Sequence, residues 1–243
     1  MKALIPAAGL GTRWYPLSRY FPKEMLPVSN HPLIHCVLDE AYQASCREII
    51  IIYREEKRII KEYVETEWQK KKDVVIHWLI QSEPKGVGAA LLCALDHVNS
   101  EPVAILYPDI LHPIGGGVAF LAQLYQEYPA PWTGLMRRQS GLQQAAFAGE
   151  TALLEIGKAL KANIYKVNYA HRDEKIVGYG TGRVILPCLD HWRGRKFVEN
   201  VNGEIDDTIL FDSLWGNGVY AAELPTPIID CGSPLNYRYR NPV

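Results

Sequence analysis

The chain reads as an α/β protein built on a doubly wound, mostly parallel sheet. Three observations lead there. Short apolar runs at Lys2–Pro6, Arg47–Tyr53, Asp73–Ile80 and Val103–Tyr107 alternate with stretches of helical periodicity, the pattern of βαβ units. The run REIIIIY at 47–53 is apolar and β-branched without alternation, as in a strand covered on both faces. Turns rich in glycine or carrying a carboxylate follow three of these strands, at the end where open α/β sheets bind ligands.

Taken in order, strand one (2–6) runs into a loop over 7–29. Asn30 can cap a helix with Pro32 in its first turn, and Leu33, Ile34, Val37, Leu38 and Ala41 then share one face. A second helix is expected over Glu55–Glu65, with Ile59, Ile60, Tyr63 and Val64 inward and the charges at 55–58 on a solvated face. Lys70–Lys72 reads as a loop, Gly88–Val98 as a helix, and 118–128 as another. Trp132–Arg138 and Ile176–Leu186 read as strands, while 139–175 carries mixed signals. Ile205–Leu214 reads as a helix with Glu204 and Asp206 near its start, followed by short strands at Asn217–Glu223 and Thr226–Asp230. No Ser/Gly/Pro-rich linker divides residues 1–243, so one domain is expected.

Composition narrows the function classes. The net charge of −1 over 243 residues offers no basic surface for nucleic acid or an anionic membrane. No apolar run approaches a membrane span, and no signal peptide precedes the first strand. Five scattered cysteines without CxxC spacing read as reduced thiols in a cytoplasmic protein. Cys231 reads as a buried thiol, and the seven histidines show no metal-ligand spacing.

The segment after strand one carries the chemistry. In IPAAGLGTRWYPLSRYFPKEMLP, Gly9 and Gly11 let backbone N–H groups approach an anion closely. Thr12 and Arg13 follow, and with Lys23 two cations suited to phosphate oxygens stand nearby. A dinucleotide fingerprint is excluded because position 14 is tryptophan, and no GK[ST] run makes a Walker loop. A polyphosphate site is expected here.

GLGTR followed by PKEMLP resembles the signature of the sugar-1-phosphate nucleotidyltransferases, in particular the bacterial UTP–glucose-1-phosphate uridylyltransferase group. Three further pieces agree in order: QSEPKGVGAAL from Gln81, Tyr107-Pro108-Asp109, and Ile229-Asp230-Cys231-Gly232. The resemblance is tight over 1–112, loose over 113–180, and returns over 182–236. It implies a nucleotide-diphospho-sugar transferase fold, a Rossmann-like mixed sheet flanked by helices. Residues 1–112 would form the nucleotide-binding half and 113–243 the sugar-side half.

The implied reaction joins UTP and glucose 1-phosphate into UDP-glucose and pyrophosphate. Both reactants are anionic, so the protein's task is charge neutralisation and alignment, and Mg²⁺ suits that task. By the resemblance, Asp109 and Asp230 hold the metal, Arg13 the β- and γ-phosphates, and Lys23 the phosphates of nucleotide and product. Backbone groups of Ala7, Ala8, Gly9 and Gly86 sandwich the base, whose edge Gln81 reads. Glu24 is also implied at the nucleotide, with hydrogen bonding inside the loop as its alternative. Gln81's amide fits uracil and thymine alike, because they share that edge.

One family element departs. The Glu-Lys-Pro triplet that binds sugar hydroxyls and sugar phosphate is matched best by Tyr165-Lys166-Val167, which carries over Lys166 and replaces the glutamate with tyrosine. Lys175, next to Glu174, is an alternative placement. A thymidylyltransferase or another sugar phosphate, and a non-catalytic nucleotide-sugar-binding homologue, therefore stay open. The partners expected are small molecules; the family implies a homo-oligomer, and a homodimer stays open.

Overall fold

The computed structural model describes residues 1–98, 100–112, 116–135, 151–160, 163–167, 180–214, 219–224, 228–235 and 237. Eight strands form one sheet: β1 (Lys2–Pro6), β4 (Glu48–Tyr53), β5 (Val75–Ile80), β6 (Val103–Leu106), β8 (Trp132–Leu135), β9 (Ile164–Val167), β10 (Gly180–Leu186) and β11 (Val219–Glu223). Their order is β5-β4-β1-β6-β10-β8-β11-β9. All neighbouring pairs among β5, β4, β1 and β6 are parallel, as are β8 and β11; β10 and β9 run against their neighbours. Two small ladders complete the described strands: β2 (Pro27–Val28) with β3 (His31–Pro32), and β7 (Ile110–Leu111) with β12 (Ile229–Asp230).

The alternation of side chains along a strand explains the uninterrupted apolar runs. Ile49 and Ile51 enter a core with α1 (Leu33–Gln43) and α4 (Gly117–Glu127), whereas Ile50 and Ile52 enter a second core with α3 (Gly86–Leu92) and α6 (Asp207–Leu214). Ala3 and Ile5 face the first core, Leu4 the second. Each buried isoleucine or leucine among them contributes about 1.5–3 kcal/mol. The helices α2 (Arg58–Tyr63) and α5 (Thr151–Leu160) complete the described set, and no described helix is long and apolar enough to cross a membrane.

Several expected boundaries shift for identifiable reasons. Asn30 caps no helix; it lies in the turn of the β2–β3 hairpin, and Pro32 occupies the N-cap of α1. The helix expected over 55–65 is a short 3₁₀ turn, then α2, then a π-helical turn at Val64–Trp68. The wider π turn changes the angular register and brings Trp68 into the core, while Ile59 stands 43% exposed. Lys57, expected in solvent, is buried. The region of mixed signals contains α5 and β9; residues 136–150 and 168–179, and with them Lys175 and Glu174, lie outside the described residues.

α6 starts at Asp207 and not Ile205 because the Ile205 backbone is already engaged. Its N–H donates to Lys85 O at 2.8 Å, and its carbonyl accepts from Gly88 N at 2.8 Å. A Cβ on Gly88 would lie 2.6 Å from that same carbonyl oxygen and 2.9 Å from the Asp206 oxygen. Gly88→Ala is therefore expected to cost about 1–3 kcal/mol and to lower the melting temperature by several degrees in a thermal scan. An unchanged midpoint would mean that residues 205–206 do not dock on α3.

Candidate active site

β1 lies between β4 and β6, and the chain passes outward through β4 and β5 before returning to β6. The strand order therefore reverses between β1 and β6, the position where open α/β sheets form a crevice at their carboxyl ends. The loops after these two strands line a cavity of about 350 Å³ that contains Gly9, Arg13, Lys23, Tyr107, Asp109 and Asp230. A neighbouring hollow of about 200 Å³ is lined by Ala8, Gly9, Gly11, Thr12, Gln81 and Gly86.

The loop after β1 is held at several points. Ala7 N donates to Ile52 O at 2.7 Å, extending the ladder past the strand. Gly11 has φ +66°, a left-handed conformation that favours glycine, and Ser18 Oγ donates to its carbonyl at 2.8 Å. Trp14, buried, donates from Nε1 to Cys231 O at 3.2 Å, so this loop is tied to the one that carries Asp230. A Cβ on Gly232 would sit 2.9 Å from both Arg13 Nη2 and Asp230 Oδ1, so the glycine lies directly against these two groups.

Asp109 is the electrostatic centre. Lys23 Nζ donates to its Oδ2 at 2.6 Å, and Arg13 Nη2 lies 3.9 Å from the same oxygen. Burial by itself would push this carboxyl up; the charge and hydrogen bond of Lys23, the backbone and Arg13 outweigh it and hold Asp109 below the usual carboxylate range. Burial likewise pulls Lys23 down, but Asp109 and Glu24 more than offset that and leave it raised. Arg13 is the solvent-facing cation, its side chain 65% exposed against 14% for Lys23.

Asp230 reaches the same cavity through the β7–β12 ladder, in which it pairs with Ile110. Cys231 N donates to Asp109 O at 2.6 Å, and Gly232 N to Asp230 Oδ1 at 2.7 Å. Cys231 itself is fully buried, and burial together with the nearby carboxylates pushes its thiol up to about 12, which leaves it inert as a nucleophile.

Gln81 follows β5, is buried, and donates from Nε2 to Gly86 O at 3.1 Å, so the two ends of that turn face the smaller hollow together. Glu24 lines the larger cavity, but its carboxylate is engaged in a buried pair: Lys57 Nζ donates to both of its oxygens at 2.9 Å and to Ala7 O at 2.9 Å. Glu24 thus holds the loop together, which is the alternative the sequence had left beside a nucleotide contact. Lys57 had no local signal, because REEKR reads as an exposed charge run. Glu204 and Asp206, expected only as helix-start residues, also line the smaller hollow.

Lys166 lies on β9, at the other side of the sheet from β5, where it pairs with Tyr220 of β11.

A strand-end crevice lined by two cations and three carboxylates stands where open α/β sheets bind ligands. The sequence model of the family described as "Nucleotidyl transferase" matches residues 2–130, and the chain belongs to that family. The UTP–glucose-1-phosphate uridylyltransferase of Bacillus subtilis (strain 168) is 34% identical over 162 residues, 59% of this chain and 53% of that protein. The protein of the same name from Escherichia coli (strain K12) is 35% identical over 130 residues, 45% of this chain and 43% of that one. The chain spans about half the length of the curated relatives it matches. Among solved structures, a UDP-glucose pyrophosphorylase complexed with UDP-glucose superposes with a TM-score of 0.74 at 24% identity, covering 97% of this chain and 95% of that chain. The UTP-bound enzyme of Acinetobacter baumannii also gives 0.74 at 24%, covering 97% and 90%. These likenesses establish the mixed, mostly parallel sheet as the nucleotide-diphospho-sugar transferase fold.

Proposed function

We propose that the protein transfers a uridylyl group from UTP to glucose 1-phosphate, giving UDP-glucose and pyrophosphate. The observation that carries this reading is the convergence of Arg13, Lys23, Asp109 and Asp230 on one cavity beside the Gln81–Gly86 turn. A phosphate oxygen of the sugar phosphate attacks the α-phosphorus of UTP. The bond from that phosphorus to the α–β bridging oxygen breaks, its electron pair leaves with pyrophosphate, and no proton need move. The protein's contribution is therefore electrostatic and positional.

Arg13, exposed at the mouth, takes the β- and γ-phosphates and then the leaving pyrophosphate. Lys23, already ion-paired, exchanges part of its contact with Asp109 for a phosphate oxygen. Gln81 and the backbone of Ala7, Ala8, Gly9 and Gly86 hold the base. Gly11 and Thr12 shape the turn beneath the phosphates.

The donor set fits Mg²⁺. Of the three carboxylates that line the cavity, Glu24 is held by Lys57, and Asp109 and Asp230 are the two this reading gives to the ion. That suits an ion that takes one or two carboxylates and completes its shell with phosphate oxygens and water. Asp109 and Asp230 would hold it, and when bound it neutralises charge on the phosphates. The five cysteines, all free, fit a reducing compartment such as the cytoplasm.

The test is pyrophosphate release with Mg²⁺, offering UTP and dTTP in turn with glucose 1-phosphate and a panel of other sugar 1-phosphates. Release with UTP and glucose 1-phosphate is expected. Preference for dTTP or another sugar would reassign the substrate, and binding of nucleotide without release by any pair would leave a non-catalytic homologue.

A further inference from the structure

Arg183 is wholly buried on β10, beside the strand whose end carries Asp109. All of its donors are used. Nε faces both Glu40 oxygens at 3.0 and 2.9 Å, and Nη2 donates to Glu40 Oε2 at 2.6 Å and to Ile110 O at 2.7 Å. Nη1 donates to Gly182 O at 2.8 Å and to Tyr107 O at 3.1 Å. Two of its contacts are thus the carbonyls of Tyr107 and Ile110, one on each side of Pro108-Asp109.

The loop needs such a holder. Regular pairing of β6 with β10 ends at Leu106, and Pro108 has no N–H to donate. The Gly182 carbonyl also accepts from Tyr107 N at 3.0 Å. Gly182 has φ +63°, and a Cβ there would meet Ile110 Cδ1 at 2.6 Å, so glycine lets the loop lie against this strand. Glu40 completes the arrangement by accepting from Val118 N at 3.0 Å, which links α1 and α4 to the same guanidinium.

A buried ion pair is weak evidence for stability, since apolar residues of similar volume often serve as well. Here the charge does something an apolar pair cannot: its planar fork grips two backbone carbonyls that bracket the proposed metal carboxylate. We propose that Arg183 is a positioning residue, holding the Tyr107–Ile110 loop so that Asp109 presents its carboxylate toward Asp230 in a geometry that binds a divalent cation. This rests on the reading of Asp109 as a metal carboxylate in the proposed transferase. Lysine cannot substitute, because an ammonium carries three donors at one point and no fork.

The test uses two variants of the full chain, Arg183→Lys and the double variant Glu40→Leu/Arg183→Met. The double variant removes the charge pair together, so it is expected to fold with a melting temperature within a few degrees of the parent. In both, Mn²⁺ affinity measured by electron paramagnetic resonance is expected to fall at least ~10-fold. Where the parent is active, kcat should fall by a similar factor and KM for the nucleotide should change little. A folded Arg183→Lys or double variant with the parent's Mn²⁺ affinity overturns the proposal. If the double variant does not fold, Arg183→Lys decides alone, and if that also unfolds, Arg183 is structural and the proposal fails. A parent that releases no pyrophosphate with any substrate pair defeats the transferase reading, while the Mn²⁺ comparison still judges Arg183.

Discussion

Asp109→Asn is expected to lower the rate of pyrophosphate release by ~10²–10³ or more, the scale of losing one well-placed electrostatic group in a closed site. Asparagine keeps the size of the side chain and an oxygen that can accept from Lys23, now 2.6 Å away. It removes the negative charge that a divalent cation would neutralise. Nucleotide binding in the presence of a chelator should be nearly unchanged, because the base-side hollow and Arg13 are untouched. The split is the diagnostic part: steady-state turnover falls while metal-free UTP affinity by calorimetry stays. Unaltered turnover in this variant would remove Asp109 from the mechanism.

Glu40→Ala is expected to destabilise the fold by about 3–5 kcal/mol, because the fully buried Arg183 loses the partner that takes three of its contacts. For a chain of this size that corresponds to a fall in melting temperature of roughly 6–20 °C. The same pair makes a pH prediction. Burial would raise the Glu40 carboxyl, but the charge and hydrogen bonds of Arg183, with smaller help from His112 and Val118 N, hold it below its ordinary value of 4.5. A carboxyl with a depressed folded value releases its proton more readily in the folded state. Its stabilising contribution is complete above about pH 4.5 and is lost as pH falls through the depressed value. Denaturant midpoints measured between neutral pH and pH 3 should show the parent losing stability in that acid window. Glu40→Ala, already without the contribution, should lose less there. Parallel losses in the two proteins would assign the acid sensitivity elsewhere.

Much of the fold was legible because strand and helix periods are local properties. Ile49 to Ile52 read as a strand buried on both sides, and the structure feeds them alternately into two cores. The face of α1 was legible from Leu33, Ile34, Val37, Leu38 and Ala41, all fully buried. Boundaries were less so, since they depend on distant partners: α6 yields Ile205 to the backbone of Lys85 and Gly88, and α2 yields to a π turn that seats Trp68.

By itself the sequence determined the α/β class, the glycine turn after β1, and the order of motifs at strand ends, so that Arg13, Lys23, Gln81 and Asp109 could be named before any coordinates. Spacing and residue type carry those facts, because each motif is a few consecutive residues leaving one strand. Only the tertiary structure decided which charges are buried and what they hold. Lys57 meets Glu24 across 33 positions and Arg183 meets Glu40 across 143. A charge in solvent and a charge in a buried pair look alike along the chain. What separates them is the desolvation cost and the partner that offsets it, and both arise only when distant segments are packed together.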